Sequence, residues 1–264
     1  MGPANRGIGV PMIGGFAAFR VGGYMAYRVF VRVCALLMRV LFKVRVEGLE
    51  NVPESGGVIL ASNHLSVSDS FFLPLVLKRR VTFVAKAEYF EQKRTAWFFK
   101  MMGQIPVKRG GGSAALRALD SAREVIDAGG VFGIYPEGTR SPDGRLYKGR
   151  TGVARLAMQT GAPVLAVAMI GTAEAQPIGQ VKPNFFSPVT IKISKPLRFE
   201  RYAAKADAPG VARQITDEIM FELRALSGQE YTNHYAPKKG VAIEPTADEA
   251  LAQVRTSVLV GVAT

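Results

Sequence analysis

No acidic side chain occurs in the first 46 residues of this 264-residue chain, although seven basic ones do: Arg6, Arg20, Arg28, Arg32, Arg39, Lys43 and Arg45. Cysteine is nearly absent too. Cys34 stands alone, which excludes an intrachain disulfide, and its apolar neighbours suit a buried, inert thiol. A reducing compartment fits this usage without being required. Histidine occurs only as His64 and His234, so no Cys/His cluster is available for a metal. The chain has neither a Gly-x4-Gly-Lys-Ser/Thr phosphate loop nor a Gly-x-Ser-x-Gly nucleophile elbow, and it has no internal repeat. A membrane-spanning helix needs about 20 residues with few charges, whereas arginine repeatedly interrupts the apolar stretch from Phe16 to Phe42. The same charges, without a small-residue cleavage site after them, argue against a signal peptide.

What the chain does have is positive charge. Thirty-four Lys and Arg against 21 Asp and Glu give +13 and a pI near 10.0, which calls for an anionic partner. Projected on a helix, Arg20, Arg28, Arg32, Arg39 and Lys43 fall within an arc of roughly 140°. Phe19, Tyr27, Phe30, Ala35, Leu37 and Leu41 lie largely off that stripe. This pattern predicts a basic amphipathic helix in a membrane interface. The other reading is a helix docked on the protein's own core, and the two are compatible. Such a helix is too apolar to be a simple nucleic-acid binder, so no nucleic acid is expected.

The organisation follows from glycine punctuation and short apolar runs. Residues 1–15 form a glycine-rich leader, 16–43 the amphipathic helix, 44–236 a folded domain and 237–264 a tail. Within the domain, strands are expected at Val44–Gly48, Val58–Ala61, Val81–Ala85, Ile105–Val107, Val131–Ile134, Val164–Ile170 and Val189–Ile193. Helices are expected at Ser70–Leu77, Tyr89–Met101, Ala114–Ala128 (with Ser113 as N-cap), Gly152–Gln159 and Pro209–Leu226. The alternation predicts an α/β fold, a sheet with helices on its faces.

The motifs follow strands, where such sheets place ligands. Asn63-His64-Leu65-Ser66-Val67-Ser68-Asp69 joins a side chain that titrates near neutrality to a carboxylate five residues on. An Asp so placed can orient an imidazole base, or it can simply cap a helix beside a hydrogen-bonded His. Ser66 or Ser68 would complete a hydrolase-like triad, but without the elbow that reading is weak. Gly103-Gln104-Ile105-Pro106-Val107-Lys108-Arg109-Gly110 ends a strand on two cations. Tyr135-Pro136-Glu137-Gly138-Thr139-Arg140-Ser141 follows another strand, and Ala162-Pro163-Val164-Leu165-Ala166-Val167 reads as a buried strand led in by proline.

In this order the four blocks resemble those of the glycerolipid acyltransferase family, which includes the 1-acylglycerol-3-phosphate acyltransferases. The resemblance runs from about Val44 to Lys195, and Ala166 stands where family members usually carry a second proline. It implies a mixed, mainly parallel sheet flanked by helices and transfer of an acyl group from a thioester to an acceptor hydroxyl. His64 would be the general base and Asp69 its orienter. Arg109, Glu137, Gly138, Thr139 and Arg140 would form the acceptor site, with help from Lys86 and Lys108. Arg109 and Arg140 suit a phosphate, which a guanidinium grips with paired hydrogen bonds. Glu137 would hold either a glycerol hydroxyl or Arg140, and Thr139 would bond the loop. Backbone amides at the start of the helix after His64 are candidate oxyanion donors. No cofactor or metal is implied; coenzyme A or acyl carrier protein would carry the acyl donor. The expected partners are lysophosphatidic acid, that donor and an anionic membrane surface, on whose cytoplasmic face the protein would be peripheral or monotopic. The alternatives are another acceptor, such as a lysophospholipid, glycerol-3-phosphate or a glycolipid, and a catalytically silent membrane-binding protein.

Overall fold

Val58-Ile59-Leu60-Ala61 offers four apolar side chains in a row, a run that suits a strand buried on both faces. In a computed structural model, which describes residues 21–107, 111–205 and 208–237, this run lies at the heart of the sheet. The expected leader and all but the first residue of the expected tail lie outside the described residues, as do Lys108 and Arg109. In chain order the strands are β1 (Arg45–Glu47), β2 (Val58–Ser62), β3 (Val81–Thr82), β4 (Val84–Lys86), β5 (Ile105–Val107), β6 (Val131–Ile134), β7 (Leu146–Tyr147), β8 (Val164–Ile170), β9 (Thr190–Ile193) and β10 (Tyr231–Thr232). The helices are α1 (Val21–Phe42), α2 (Asp69–Val76), α3 (Glu88–Glu91), α4 (Lys93–Met101), α5 (Gly111–Asp127), α6 (Gly152–Thr160), α7 (Thr172–Ala175) and α8 (Val211–Ser227).

Six strands form one sheet in the order β1-β9-β8-β2-β6-β3. Every pairing in it is parallel except β8 with β9, so the sheet is mixed and mainly parallel, as expected. Successive side chains on a strand point to opposite faces, and the core divides accordingly. Ile59, Ala61, Phe132, Val164 and Ala166 pack with α5, α6 and α8 through Val125, Leu156 and Ile219. Val58, Leu60, Val131, Leu165 and Val167 pack on the other face with Phe42, Phe72 and Leu73 of α1 and α2.

Two expected elements divide. The single strand 81–85 breaks at Phe83: β3 pairs with β6, while β4 leaves to pair with β5. At the break the Phe83 backbone bonds Gln104 and Ile105, and its ring fills space over Gly133, where a Cβ would stand only 2.2 Å from it. The expected helix 89–101 is split into α3 and α4 by Gln92, whose backbone is extended at φ −81°, ψ 120°. Helix α5 begins at Gly111, two residues before the expected Ser113 cap. Strands β7 and β10, each two residues long, pair with one another and were not expected.

Helix α1 sorts its apolar residues into two faces rather than one. Val31 and Phe42 are buried against the protein, with Phe30, Met38 and Leu41 partly so. Val29, Val33, Leu36, Leu37 and Val40 recur at helical spacing along an exposed stripe, with the exposed Arg32 and Arg39 beside it. Among the described residues no helix is long and apolar enough to cross a membrane.

Candidate active site

The chain leaves the sheet at Ser62, and the next seven residues fold around one carboxylate. Asp69 is fully buried at the start of α2. Its Oδ2 accepts the backbone N–H groups of Leu65 and Ser66, both at 2.8 Å, and lies 2.9 Å from His64 Nδ1. A neutral imidazole donating Nδ1–H to that oxygen carries its lone pair on Nε2, the arrangement a base requires. His64 keeps 16% of its side-chain surface open. Oδ1 of Asp69 is buried without a hydrogen-bond partner among the described residues.

Neither nearby serine joins His64. Ser66 Oγ donates to Gln176 O at 2.7 Å, and Ser68 Oγ donates to Ser66 Oγ at 2.9 Å, so both hydroxyls brace the turn. Most amides expected as oxyanion donors are likewise engaged. Those of Leu65 and Ser66 bind Asp69, that of Ser68 binds Ser66 Oγ, and those from Asp69 to Phe72 bind carbonyls of the turn. Within this stretch only the amide of Val67, an exposed residue, has no partner among the described residues.

Four residues to which sequence reasoning gave no role, Asn63, Gln229, Tyr135 and Phe83, surround the histidine. The Asn63 carboxamide bonds both backbone groups of Met169 on β8, at 2.7 and 3.0 Å, so it continues β2's ladder beyond the point where the backbone departs. Asn63 Nδ2 also donates to Gln229 Oε1 at 2.7 Å, and Gln229 donates to Gly144 O. Tyr135 stacks on His64 with ring centroids 3.8 Å apart and 11° between planes, and Phe83 stacks behind it at 5.3 Å. The Tyr135 hydroxyl shares a 2.8 Å hydrogen bond with Ser70 Oγ. Burial, and then the charge of Asp69, push the Tyr135 phenol well above 10, so it stays neutral. An aromatic side chain just after a strand was the visible signal, but the stack joins residues 71 apart.

Glu137 holds neither Arg140 nor an open acceptor position. Its Oε1 accepts the backbone N–H of His64 at 3.2 Å, and its Oε2 accepts that of Tyr147 at 2.9 Å. It is buried, and that burial carries its pKa up to about 7 against the pull of the two N–H groups, with the charges of Asp69 and Asp143 adding to the rise. The loop closes on the turn through Ser141 N–H, which donates to His64 O at 2.7 Å. Gly138 takes φ +77° beside the Arg150 side chain. Thr139 is exposed and its hydroxyl bonds nothing among the described residues, contrary to expectation. Arg140 is half-buried and makes no ion pair or hydrogen bond among them, which leaves its donors open to an anion. By contrast Arg145, buried nearby, donates to Asp143 at 2.7 Å. Lys86 ends β4 opposite Val107, the last residue described before Lys108 and Arg109.

Residues 43–170, which carry both the His64–Asp69 turn and the 135–141 loop, match the family model described as Acyltransferase. That stretch, just under half of the chain, is therefore similar to an acyltransferase domain. Over 167 residues it is 34% identical to a chloroplastic 1-acyl-sn-glycerol-3-phosphate acyltransferase of Brassica napus, covering 63% of this chain and 47% of that one. A 1-acyl-sn-glycerol-3-phosphate acyltransferase of Pseudomonas aeruginosa is 37% identical over 147 residues, 52% of this chain and 54% of the relative. The chain thus spans about half the length of the curated relatives it matches. The crystal structure of the 1-acyl-sn-glycerophosphate (LPA) acyltransferase PlsC from Thermotoga maritima is similar with a TM-score of 0.58 at 28% identity, covering 76% of this chain and 79% of that one.

Proposed function

We propose that the protein transfers a fatty acyl group from a thioester of coenzyme A or acyl carrier protein to the free hydroxyl of 1-acylglycerol-3-phosphate, forming phosphatidic acid. The observation that carries this reading is the 2.9 Å bond from a buried carboxylate to His64, adjoining a loop whose Arg140 has no partner among the described residues. His64 Nε2 takes the hydroxyl proton while the hydroxyl oxygen attacks the thioester carbonyl. The tetrahedral intermediate expels the thiolate, which recovers the proton from the imidazolium. Asp69 stabilises that imidazolium, and such base assistance is worth about 10²–10⁴-fold. The free N–H of Val67 serves as an oxyanion donor. Arg140 and Arg109 hold the acceptor phosphate, with Lys86 and Lys108 beside them. Glu137 acts on the backbone of His64 instead of on substrate. Residues 44–236 form the catalytic domain, and 16–43 hold it to the cytoplasmic face of the membrane through the exposed stripe of α1.

The test is thiol release from palmitoyl-coenzyme A by the purified chain in detergent, with and without 1-acylglycerol-3-phosphate, with lipid products resolved. Acceptor-dependent release that yields phosphatidic acid and is lost in His64→Ala is the expected result. Release with another acceptor alone would overturn the substrate, and no transfer to any acceptor from either donor would overturn the reaction. Arg140→Ala is expected to raise the acceptor KM with little change in kcat; an unchanged KM would refute the phosphate contact.

A further inference from the structure

The loop from Gln176 to Ser187 is built inside out. Its polar side chains fold it: Asn184 Nδ2 donates to Glu174 O at 2.8 Å, Gln180 Nε2 donates to Asn184 Oδ1 at 2.8 Å, and Ser187 Oγ donates to Asn184 O at 2.9 Å. Its apolar side chains face outward, with Val181 88% exposed, Phe186 62% exposed, and Ile178 and Phe185 also exposed. Phe186 moreover sits at φ +67°, a conformation that a bulky L-residue adopts only under strain. Packing within the protein does not account for keeping an exposed ring there.

This loop adjoins α1. The Phe186 N–H donates to Leu41 O, and the Phe185 ring lies 5.7 Å from that of Phe42. Further back along the helix, Phe30 meets Trp97 of α4 edge-on at 6.4 Å, and Trp97 is 56% exposed. The exposed stripe of α1 therefore has exposed aromatic side chains near both of its ends. Segments 21–46, 92–107 and 175–199 contain no acidic residue, while Arg32, Arg39, Lys43, Lys93, Arg94, Lys100 and Lys182 are all exposed. Aromatic rings beside an apolar stripe, amid segments in which cations predominate, match the interfacial zone of an anionic bilayer, although Glu174 at the base of the loop is also exposed.

We propose that the 176–187 loop is a second membrane-contact element, inserting Val181, Phe185 and Phe186 beside α1 into an anionic phospholipid bilayer, with Trp97 at the interface on the far side. This rests on the reading above that α1 lies on a membrane. A lone interfacial helix is free to roll about its axis; a braced loop at its end removes that freedom and gives the catalytic domain one orientation.

The experiment uses the full chain with vesicles of equimolar phosphatidylcholine and phosphatidylglycerol, and with phosphatidylcholine alone. Trp97 is the chain's single tryptophan, so its emission reports on this surface without a label. Wild type is expected to co-sediment with the anionic vesicles and shift its emission to the blue. Val181→Asp and Phe186→Asn should each weaken partitioning on the order of tenfold. Asparagine tolerates the left-handed backbone, so Phe186→Asn should melt no lower than wild type; a Tm drop matching the binding loss would mark Phe186 as merely structural and overturn the proposal. Loop variants that bind as wild type does would overturn the loop's role while leaving α1 as the anchor. Failure of wild type to bind either vesicle would overturn membrane contact altogether, with acyl transfer in detergent judged separately. Unchanged vesicle binding with a dimer converted to monomer by the loop variants would assign the surface to a second copy and overturn the proposal.

Discussion

Replacing Asp69 by asparagine removes a charge while leaving the turn its shape, because the two carboxylate oxygens have unequal duties. Oδ2 accepts three N–H groups and Oδ1 none. An asparagine with its carbonyl oxygen at the Oδ2 position keeps all three bonds, and its NH₂ falls where no donor is displaced. What disappears is charge assistance. Hydrogen bonds to charged groups contribute about 1.5–3 kcal/mol and neutral ones about 0.5–1.5, so three bonds lose about 3 kcal/mol together. Relief from burying a carboxylate offsets part of that. The Tm should therefore fall by no more than about 10 °C. Turnover should fall far more, on the order of 10²–10⁴-fold, since nothing then stabilises the imidazolium. Initial rates at saturating acceptor, beside thermal unfolding followed by circular dichroism, separate the two effects. A folded Asp69→Asn protein with near wild-type kcat would refute the orienting role and leave Asp69 as a cap.

Three other perturbations test the surroundings of the base. Glu137, at about 7, binds its proton more tightly in the folded chain than in the unfolded one, so its contribution is full below about pH 4.5 and is lost as pH rises to 7, a change of roughly 3 kcal/mol. Across that window the stability of Glu137→Gln should gain on wild type by this amount in thermal melts; a constant difference would show that Glu137 titrates normally. Tyr135→Phe keeps the stack on His64 and should cost only about 1 kcal/mol for the Ser70 bond, whereas Tyr135→Ala should cost about 3–5 kcal/mol and lower kcat with it. Equal kcat in the two variants would dismiss the stack. Gly133→Ala puts a methyl 2.2 Å from Phe83 and should cost about 1–3 kcal/mol in denaturant unfolding, relieved by Phe83→Leu in the same chain.

Elements with long apolar runs were legible in advance. Strands β2 and β8, helix α5 after its glycines and helix α8 all lie near where hydrophobic period and punctuation put them. The breaks at Phe83 and Gln92 were not legible, because at the first the two halves pair with different strands, β6 and β5, which the residues 81–85 themselves do not name. Two-residue strands such as β7 and β10 are too short to show any period. The apolar residues of α1 formed one face on paper; only the arrival of α2 and α4 decides which of them are covered. In the site, spacing brought His64 and Asp69 together, since a five-residue turn leaves them little room to part. Glu137's two readings gave it a glycerol hydroxyl or the Arg140 side chain, but its partners are backbone N–H groups, which every residue carries and no motif can reveal. Tyr135 and Asn63 act through contacts with distant strands, and a one-dimensional pattern holds no trace of them.

The link from Asn63 through Gln229 to Gly144 has a meaning in time as well as in space. On the ribosome, a nascent chain that has emerged through Ile193 already contains every strand of the six-stranded sheet. It does not yet contain Gln229, whose amide closes on the residue preceding His64, nor Tyr231 and Thr232, which pair with the strand following the Glu137 loop. The sheet can thus pair during synthesis before α8 covers one of its faces, and while the turn that carries the base still lacks its last brace. Acyl-transfer competence should lag behind protease resistance as the chain lengthens, and the gap between them should close when residues 229–232 leave the exit tunnel.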